Sequence, residues 1–481
     1  MSTASDTVLE EASPDVQPEA MFSAVEASEA KPEGSLKKKV IHGGAWTAGG
    51  VVSTQVLAFA SNIILSWVLV PEHFGIMALI NTVITGLQMF SDVGIAPCLI
   101  QNKREDAAFY NTAWTIQVVR GFILWGVACL LAWPLSQIKP DWAPLATYLP
   151  VAALTTVIAG FRSTGYITAN RRLSIGKISV VEFTTGLVRT LVMVVVAYQI
   201  SRTAWALVAG LLVGAIFTTV VSFRMEPDIK NRFAFEKKAF GELISYGKWL
   251  FVSTVITFWA AASDMFIIGA CLSTSVLGVF WVARRFAELG PMLFQKVGTW
   301  VGFPALSETY RNDPEKFNQR LYKLRVAVLV PIMALLLGMI LLGPTVIYYG
   351  YRNSSDTAYL YAGWMIQVLA VNAIPGLTAA SYGNVYMATG RTMYNMLSVA
   401  AQFVSVTLCM LVGYSLAGEV GLFLGLGMSQ WFKYLADAEL ASRCGCLQLK
   451  FDVVLLLATS GLALLAIWGS SWVWIASLWV F

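Results

Sequence analysis

Apolar stretches about as long as a bilayer is thick recur through this chain, and they limit its fold more than any other feature. A helix needs about 20 mainly apolar residues to cross the hydrocarbon core. Such stretches lie at about residues 45–70, 75–97, 113–136, 146–168, 178–199, 204–223, 245–270, 275–305, 326–350, 358–388, 395–414 and 419–441. A last apolar segment covers about 452–480. Turn and breaker residues separate them, among them Pro71, Lys139-Pro140, Asn170-Arg171-Arg172, Asn353-Ser354-Ser355 and Gly390-Arg391. Helices satisfy their backbone polar groups internally, which lipid demands. The expected fold class is an all-α polytopic membrane protein of 12–14 spans. The composition agrees, with 57% hydrophobic and 13% charged residues among 481. The last segment crosses once, or twice if Gly469-Ser470-Ser471 interrupts it.

Loop charge gives an orientation. Residues 1–36 carry eight acids and one base, Lys31, with no apolar core of a signal peptide. They read as a disordered acidic cytoplasmic tail, followed by the basic anchor Lys37-Lys38-Lys39. With the amino terminus inside, 21 lysines and arginines fall in cytoplasmic loops and three outside; Arg320, Lys323 and Arg325 are counted among the inner ones. The positive-inside rule supports this topology. Residues 224–244, with Phe233, Phe235, Phe240 and Leu243 among bases, read as an amphipathic cytoplasmic linker or as a solvated one. Asp313-Pro314 reads as the start of a second amphipathic helix carrying Phe317, Leu321 and Leu324 on one face.

The linker divides the chain into residues 37–223 and 245–441, six spans each, with 442–481 as a cytoplasmic loop and extra transmembrane segment. Trp46 and Gly75 are spaced as Trp249 and Gly278 are, and Thr54 and Thr257 share the same offset of 203 residues. Two six-helix lobes related as parallel tandem repeats account for this pattern.

The stretch Val276–Pro304 is the anomaly. It is long enough to span, yet contains Arg284, Arg285, Glu288 and Lys296. Each such charge costs roughly 2.5–3.5 kcal/mol at membrane depth, so it must avoid lipid. On a helical wheel at about 100° per residue the four charges and Gln295 fall within about 120°. Val282, Phe286, Leu293 and Val297 lie opposite, and Gly290-Pro291 offers a kink mid-span. The equivalent stretch in the first half has Asn81, Thr82, Thr85 and Val93 in place of the four charges. The asymmetry favours an anion-binding role, with a local surplus of about two positive charges. An ion pair between Glu288 and either arginine that only holds the helix is the competing reading.

Other membrane-depth charges are Arg120, Arg162 and Arg189, read as structural, with Glu182 on the helical face of Arg189. Asp92 and Asp264 are carboxylates that read first as helix caps or partners of a loop base, and that could also carry a coupling H+ or Na+. Two histidines and six scattered cysteines, of which Cys444 and Cys446 form the one close pair, give no metal framework. No P-loop motif occurs, and no catalytic constellation. No cofactor, no enzymatic activity and no nucleic-acid partner are expected.

Specific stretches then carry a resemblance. Leu69-Val70-Pro71-Glu72-His73-Phe74-Gly75, Phe90-Ser91-Asp92-Val93-Gly94, Leu99-Ile100-Gln101, Ala283-Arg284-Arg285-Phe286 and Phe303-Pro304-Ala305-Leu306-Ser307 are similar to those of Wzx-type oligosaccharide flippases. These form the polysaccharide transporter branch of the multidrug/oligosaccharidyl-lipid/polysaccharide superfamily. The resemblance, over about residues 40–445, implies two lobes around a cationic cavity in the bacterial inner membrane. It implies alternating access for undecaprenyl-diphosphate-linked oligosaccharide, with a polysaccharide polymerase and export machinery as further partners. In related lipid II flippases membrane-depth arginines bind the diphosphate. Arg284 or Arg285 is the nearest match by position, whereas residues 45–70 contain no arginine to match their first-span ones. Substrate-binding candidates are thus Arg284, Arg285, Lys296, Gln295 and Asn81, with Glu288, Asp92 and Asp264 as coupling or pairing groups. An exporter of drugs or cations would instead expect an acid-lined cavity, and a polymerase or ligase a large external loop.

Overall fold

A computed structural model describes residues 49–50, 53–91, 106–166, 175–225, 231–298 and 302–478. The acidic tail, Lys37–Lys39 and Asp92 lie outside the described residues. Everything regular within them is helical. In chain order the helices are α1 (Ser53–Ser66), α2 (Pro71–Phe90), α3 (Ala107–Ile138), α4 (Leu145–Ala152), α5 (Leu154–Gly160), α6 (Ile175–Gln199) and α7 (Trp205–Met225). They continue as α8 (Lys237–Cys271), α9 (Thr274–Ala287), α10 (Leu289–Val297), α11 (Phe303–Asn312), α12 (Phe317–Tyr351), α13 (Ala362–Ala388), α14 (Thr392–Arg443) and α15 (Leu449–Leu478). Ten stretches among them are long and apolar enough to cross a membrane. α1 is a shorter apolar helix, and α14 counts once although it turns back on itself. The chain is a multi-pass helical membrane protein.

α14 turns at Ala417-Gly418, where Gly418 has φ of 59°. A left-handed residue of this kind is readily supplied only by glycine. It makes a hairpin of two arms, near the predicted spans 395–414 and 419–441. The arms meet backbone to backbone: a Cβ on Gly413 would lie 2.1 Å from the Gly421 carbonyl oxygen, and one on Gly421 2.0 Å from that of Gly413. Small residues allow this approach where lipid gives no hydrophobic drive to helix pairing. α15 passes through Gly469-Ser470-Ser471 without a break, which supports a single crossing.

The same device joins α2 to α9. A Cβ on Gly75 would sit 2.0 Å from the Thr274 carbonyl oxygen, and a Cβ on Gly278 1.9 Å from that of Pro71. Pro71 and Thr274, like Gly75 and Gly278, are 203 residues apart, so the contact is reciprocal. Around it the turns that precede both helices are tied down. Ser355 donates from its backbone to Ser66 O at 2.9 Å and from its hydroxyl to Leu69 O at 2.9 Å. Tyr359 donates its hydroxyl to Leu69 O at 2.7 Å, and Lys139 donates to Leu272 O. Phe74 packs between Trp281 and Tyr359, with centroids 5.8 and 6.0 Å away. This end of the bundle is closed.

Two connections differ from the sequence reading. No amphipathic helix covers the described residues 231–236. They run extended along the start of α3, with Arg232, Ala234 and Glu236 donating backbone N–H groups to Asn111, Thr115 and Thr112; α8 then starts at Lys237 and runs unbroken to Cys271. The segment after Asp313-Pro314 is also no separate surface helix. A short 3-10 turn leads into α12, which continues for 35 residues to Tyr351 because nothing in it breaks the helix before the span begins. Arg325, counted from sequence as a loop charge, is therefore inside the protein and only 2% exposed.

Arg325 anchors α15. It donates to Asp452 at 2.6 Å, Ser381 at 2.8 Å and the Tyr382 hydroxyl at 3.0 Å, and its guanidinium lies 4.3 Å from the Tyr382 ring centroid. Asp452 also accepts from Tyr382 at 2.7 Å and from Tyr434 at 3.0 Å. A buried pair this well bonded is costly to halve, about 3–5 kcal/mol, and cheaper to replace whole. Arg325→Met or Asp452→Asn alone should lower the melting point in detergent markedly. Arg325→Met with Asp452→Leu should recover most of the loss. For the glycine contact, Gly278→Ala should destabilise by at least about 1–3 kcal/mol through overpacking against backbone. Gly338→Ala on α12, with no atom within 4 Å of its added Cβ, should be neutral or stabilising in the same melting assay.

Candidate functional site

A cavity of about 260 Å³ lies between α2, α8 and α9, toward the middle of the bundle from the glycine contact. α2 contributes Asn81, Thr82 and Thr85, which share one helical face at spacings of one and three residues. α9 contributes Trp281, Arg284 and Arg285, and Glu288 stands where α9 ends. The residues paired at offset 203, Asn81 with Arg284, Thr82 with Arg285 and Thr85 with Glu288, thus line one cavity from opposite helices. α8 supplies an apolar wall through Phe258, Ala262 and Met265.

The charged stretch is not one helix. α9 stops at Ala287, Glu288 has φ −68° and ψ −12°, and α10 begins at Leu289. Pro291 has no N–H for the carbonyl of Ala287, four residues back, and the break falls in the turn that lacks this bond. Gln295 and Lys296 lie on α10 beyond this break and do not line the cavity with the arginines. The helical wheel, which assumes a straight helix, joined groups that the break separates. Gln295 is exposed and Lys296 half-buried.

The two arginines differ in kind. Arg284 Nη1 donates to both carboxylate oxygens of Asp264 at 2.6 Å, its Nε to Glu288 at 2.9 Å and its Nη2 to Ala261 O at 2.8 Å. Two acids therefore hold one guanidinium across α8 and α9. Asp264 is the partner that sequence reasoning did not assign to Arg284, because the pair is 20 residues apart on different helices. Arg285 has neither. Its guanidinium lies 5.0 Å from the Trp281 ring centroid, a cation–π contact. It makes no ion pair with a carboxylate among the described residues. Glu288 is within electrostatic reach of Arg285, but its carboxylate is engaged with Arg284. The expected surplus of two positive charges at this point is not found. Arg284, Arg285, Asp264 and Glu288 sum to zero.

The other membrane-depth arginines divide likewise. Arg120 donates to the Ser91 hydroxyl at 2.8 Å and to Gln88 O, tying α3 to the end of α2. Arg162 packs over Tyr166 at 5.2 Å. Arg189 on α6 forms no ion pair with Glu182, which is exposed. Sequence reasoning also passed over Lys433 and Asp437, a buried pair at 2.6 Å in the second arm of α14. Their i,i+4 spacing inside an apolar run was the available signal. In the loop before α15, Cys446 is buried, and desolvation pushes its thiol up to about 12, a value that suits an inert structural cysteine.

The pair Arg284–Asp264 is more enclosed than Arg284–Glu288, whose carboxylate side chain is 44% exposed. Asp264→Asn should therefore cost more stability, about 1–3 kcal/mol, less than a fully dry pair. Glu288→Gln should cost at most about 1 kcal/mol. Melting points of the two variants in one detergent check the order; a larger drop for Glu288→Gln would make Glu288 the main counter-ion.

Comparison with known proteins agrees with this architecture. The chain is 23% identical over 401 residues to the lipopolysaccharide biosynthesis protein WzxC of Escherichia coli, covering 82% of this chain and 79% of that one. It is 24% identical over 304 residues to the succinoglycan biosynthesis transport protein ExoT of Rhizobium meliloti, covering 62% and 60%. Among solved structures it shares its fold with the lipid II flippase MurJ in an inward closed conformation, at a TM-score of 0.69 and 12% identity, over 89% of this chain and 97% of that one. The model of a family described as polysaccharide biosynthesis protein matches residues 64–353, and since that is more than half of its length, this multi-pass membrane protein belongs to the polysaccharide biosynthesis protein family.

Proposed function

We propose that the protein is a flippase that carries undecaprenyl-diphosphate-linked oligosaccharide units across the bacterial inner membrane, with its amino terminus in the cytoplasm. The observation that carries this reading is Arg285, a guanidinium on a mid-bundle cavity with an aromatic ring and no carboxylate partner among the described residues. An unpaired cation at membrane depth is costly unless an anion meets it. Guanidinium groups suit phosphates because they offer paired donors and a permanent charge. Asn81, Thr82 and Thr85 on the facing helix add neutral hydrogen-bonding groups of the kind a sugar hydroxyl needs. The names of the relatives, a lipopolysaccharide biosynthesis protein, a succinoglycan transport protein and a lipid II flippase, support the same substrate class.

The orientation follows from the loop cations, 20 inner against three outer once the buried Arg325 is set aside. It puts the closed end, with Gly75, Gly278 and Tyr359, on the periplasmic side. The sugar–diphosphate head then enters from the cytoplasm while the prenyl chain stays in lipid. Release requires α2 and α9 to part at their glycines. A drug or cation exporter is disfavoured because Glu288, the carboxylate that lines the cavity, is spent on Arg284, as is Asp264.

In cells that depend on this gene for polysaccharide export, Arg285→Gln should reduce exported polymer to less than about a tenth, the loss of one charge-assisted contact. Lipid-linked oligosaccharide should accumulate on the inner leaflet, with protein levels unchanged by immunoblot. Normal export by the Arg284→Gln and Arg285→Gln variants and by the double variant would sink the diphosphate assignment.

A further inference from the structure

The extended segment that leads into α8 lies on the lipid-facing side of α3. Exposed apolar side chains mark that side at Val119, Phe122, Ile123, Leu130 and Trp133. Thr115 and Thr112 continue the same stripe toward the start of the helix, one and two turns before Val119. There, with Asn111, they hold residues 232–236 as a strap. Thr115 Oγ1 both accepts from Ala234 N–H at 3.1 Å and donates to Ala234 O at 2.9 Å. Asn231 is fixed in turn by Ser163 and Thr164, at 2.8 and 2.7 Å. From Val119 to Ile138 α3 rises about 29 Å, enough to fill a hydrocarbon core about 30 Å thick. The strap therefore sits just beyond that core, at the level of the lipid headgroups.

The strap's backbone bonds to α3, as irregular backbone near lipid requires, and its larger side chains are left outside. Phe233 and Phe235 are each 64% exposed, although Phe233 meets Trp114 with centroids 4.8 Å apart and Phe235 meets Phe240 at 5.2 Å. Arg232, Lys237 and Lys238 are exposed beside them, and none of the three is ion-paired among the described residues. The acids on the strap and at the start of α3 are Glu236, half-buried, and Asp106, which caps α3 by accepting from Phe109 N–H at 3.2 Å. Exposed aromatic rings and unpaired cations thus share one surface at headgroup depth. Rings of this kind lower their free energy by entering the interface, and cations there are drawn to anionic lipid.

We propose that the strap and the first turn of α8, from Arg232 to Phe240, form a binding surface for anionic phospholipid of the surrounding bilayer. Phe233, Phe235 and Phe240 enter the interface, and Arg232, Lys237 and Lys238 hold the lipid phosphate. The alternation of an extended chain puts Phe233 and Phe235 on one face, and the helix that follows brings both lysines in beside them. The surface is separate from the cavity between α2, α8 and α9 and does not depend on what that cavity carries.

The test is native mass spectrometry of the full-length protein, titrated with phosphatidylglycerol or with phosphatidylcholine of the same acyl chains. The wild type should bind its first phosphatidylglycerol at least about ten-fold more tightly than phosphatidylcholine. Arg232→Gln, Lys237→Gln and Lys238→Gln should each weaken phosphatidylglycerol about five-fold, and the triple variant should bind the two lipids alike. Phe233→Ser with Phe235→Ser should weaken both lipids together, because it removes apolar contact and leaves the charge. Lys316→Gln, at an exposed lysine beside Asp313, should change neither. All of these side chains are on the surface, so melting points should hold. A wild type without preference overturns the proposal. So does a triple variant that keeps the wild-type preference, or a double phenylalanine variant that binds as the wild type does. Carbodiimide cross-links from Lys237 or Lys238 to the acids of residues 1–36, with the preference intact in the triple variant, would assign the surface to the chain's own acidic tail instead.

Discussion

A guanidinium held at membrane depth needs a negative partner, and the arrangement of this protein follows from how each arginine meets that need. Arg325 is the fully enclosed case. One acid, two hydroxyl groups and an aromatic face surround it, and the result is a fixed joint between α12, α13 and α15. Arg284 is the intermediate case, held by two acids on the rim of a cavity, where it fastens α8 to the end of α9. Arg285 on α9 and Arg189 on α6 form no ion pair with a carboxylate among the described residues. Charges with partners build the scaffold, and Arg285, which has no carboxylate partner among the described residues, is the one on which the proposed function rests.

Much of this was legible in the residues. The spans and their breaks follow from apolar run length and from proline, glycine and asparagine between runs, and the helices fall close to those limits. The offset of 203 residues, visible first in Trp46, Gly75, Trp249 and Gly278, also brings Asn81, Thr82 and Thr85 opposite Arg284, Arg285 and Glu288. What the residues hid was partnership between helices. Asp264 looked like a helix cap or loop partner because nothing local shows that α8 turns it toward Arg284. Arg325 looked like a loop charge because it follows a cluster of bases, yet the helix simply starts earlier than its apolar part. Lys296 and Gln295 looked like neighbours of Arg284 only on an unbroken wheel, and Pro291 breaks it.

Arg189 illustrates the limit of local reading most clearly. Seven residues separate it from Glu182, which puts the two on one helical face and suggests an ion pair. In the bundle Glu182 is exposed, while the arginine stem lies on Gly214 of α7. The absence of side chains on a neighbouring helix thus decides where a charge can reach. No property of α6 alone contains that information.

The contact of Gly75 with Gly278 has a mechanical meaning as well as a steric one. Interlocked leucines must change rotamer, or climb over one another, before two helices can slide apart. Two strips of bare backbone have no rotamers to unlock and little dispersion energy per residue to surrender. Such strips would separate as smooth plates do, and the carbonyl oxygens of Pro71 and Thr274 would then be free to take up water. At this end the seal is therefore tight, and the opening that the proposed function requires would meet little friction.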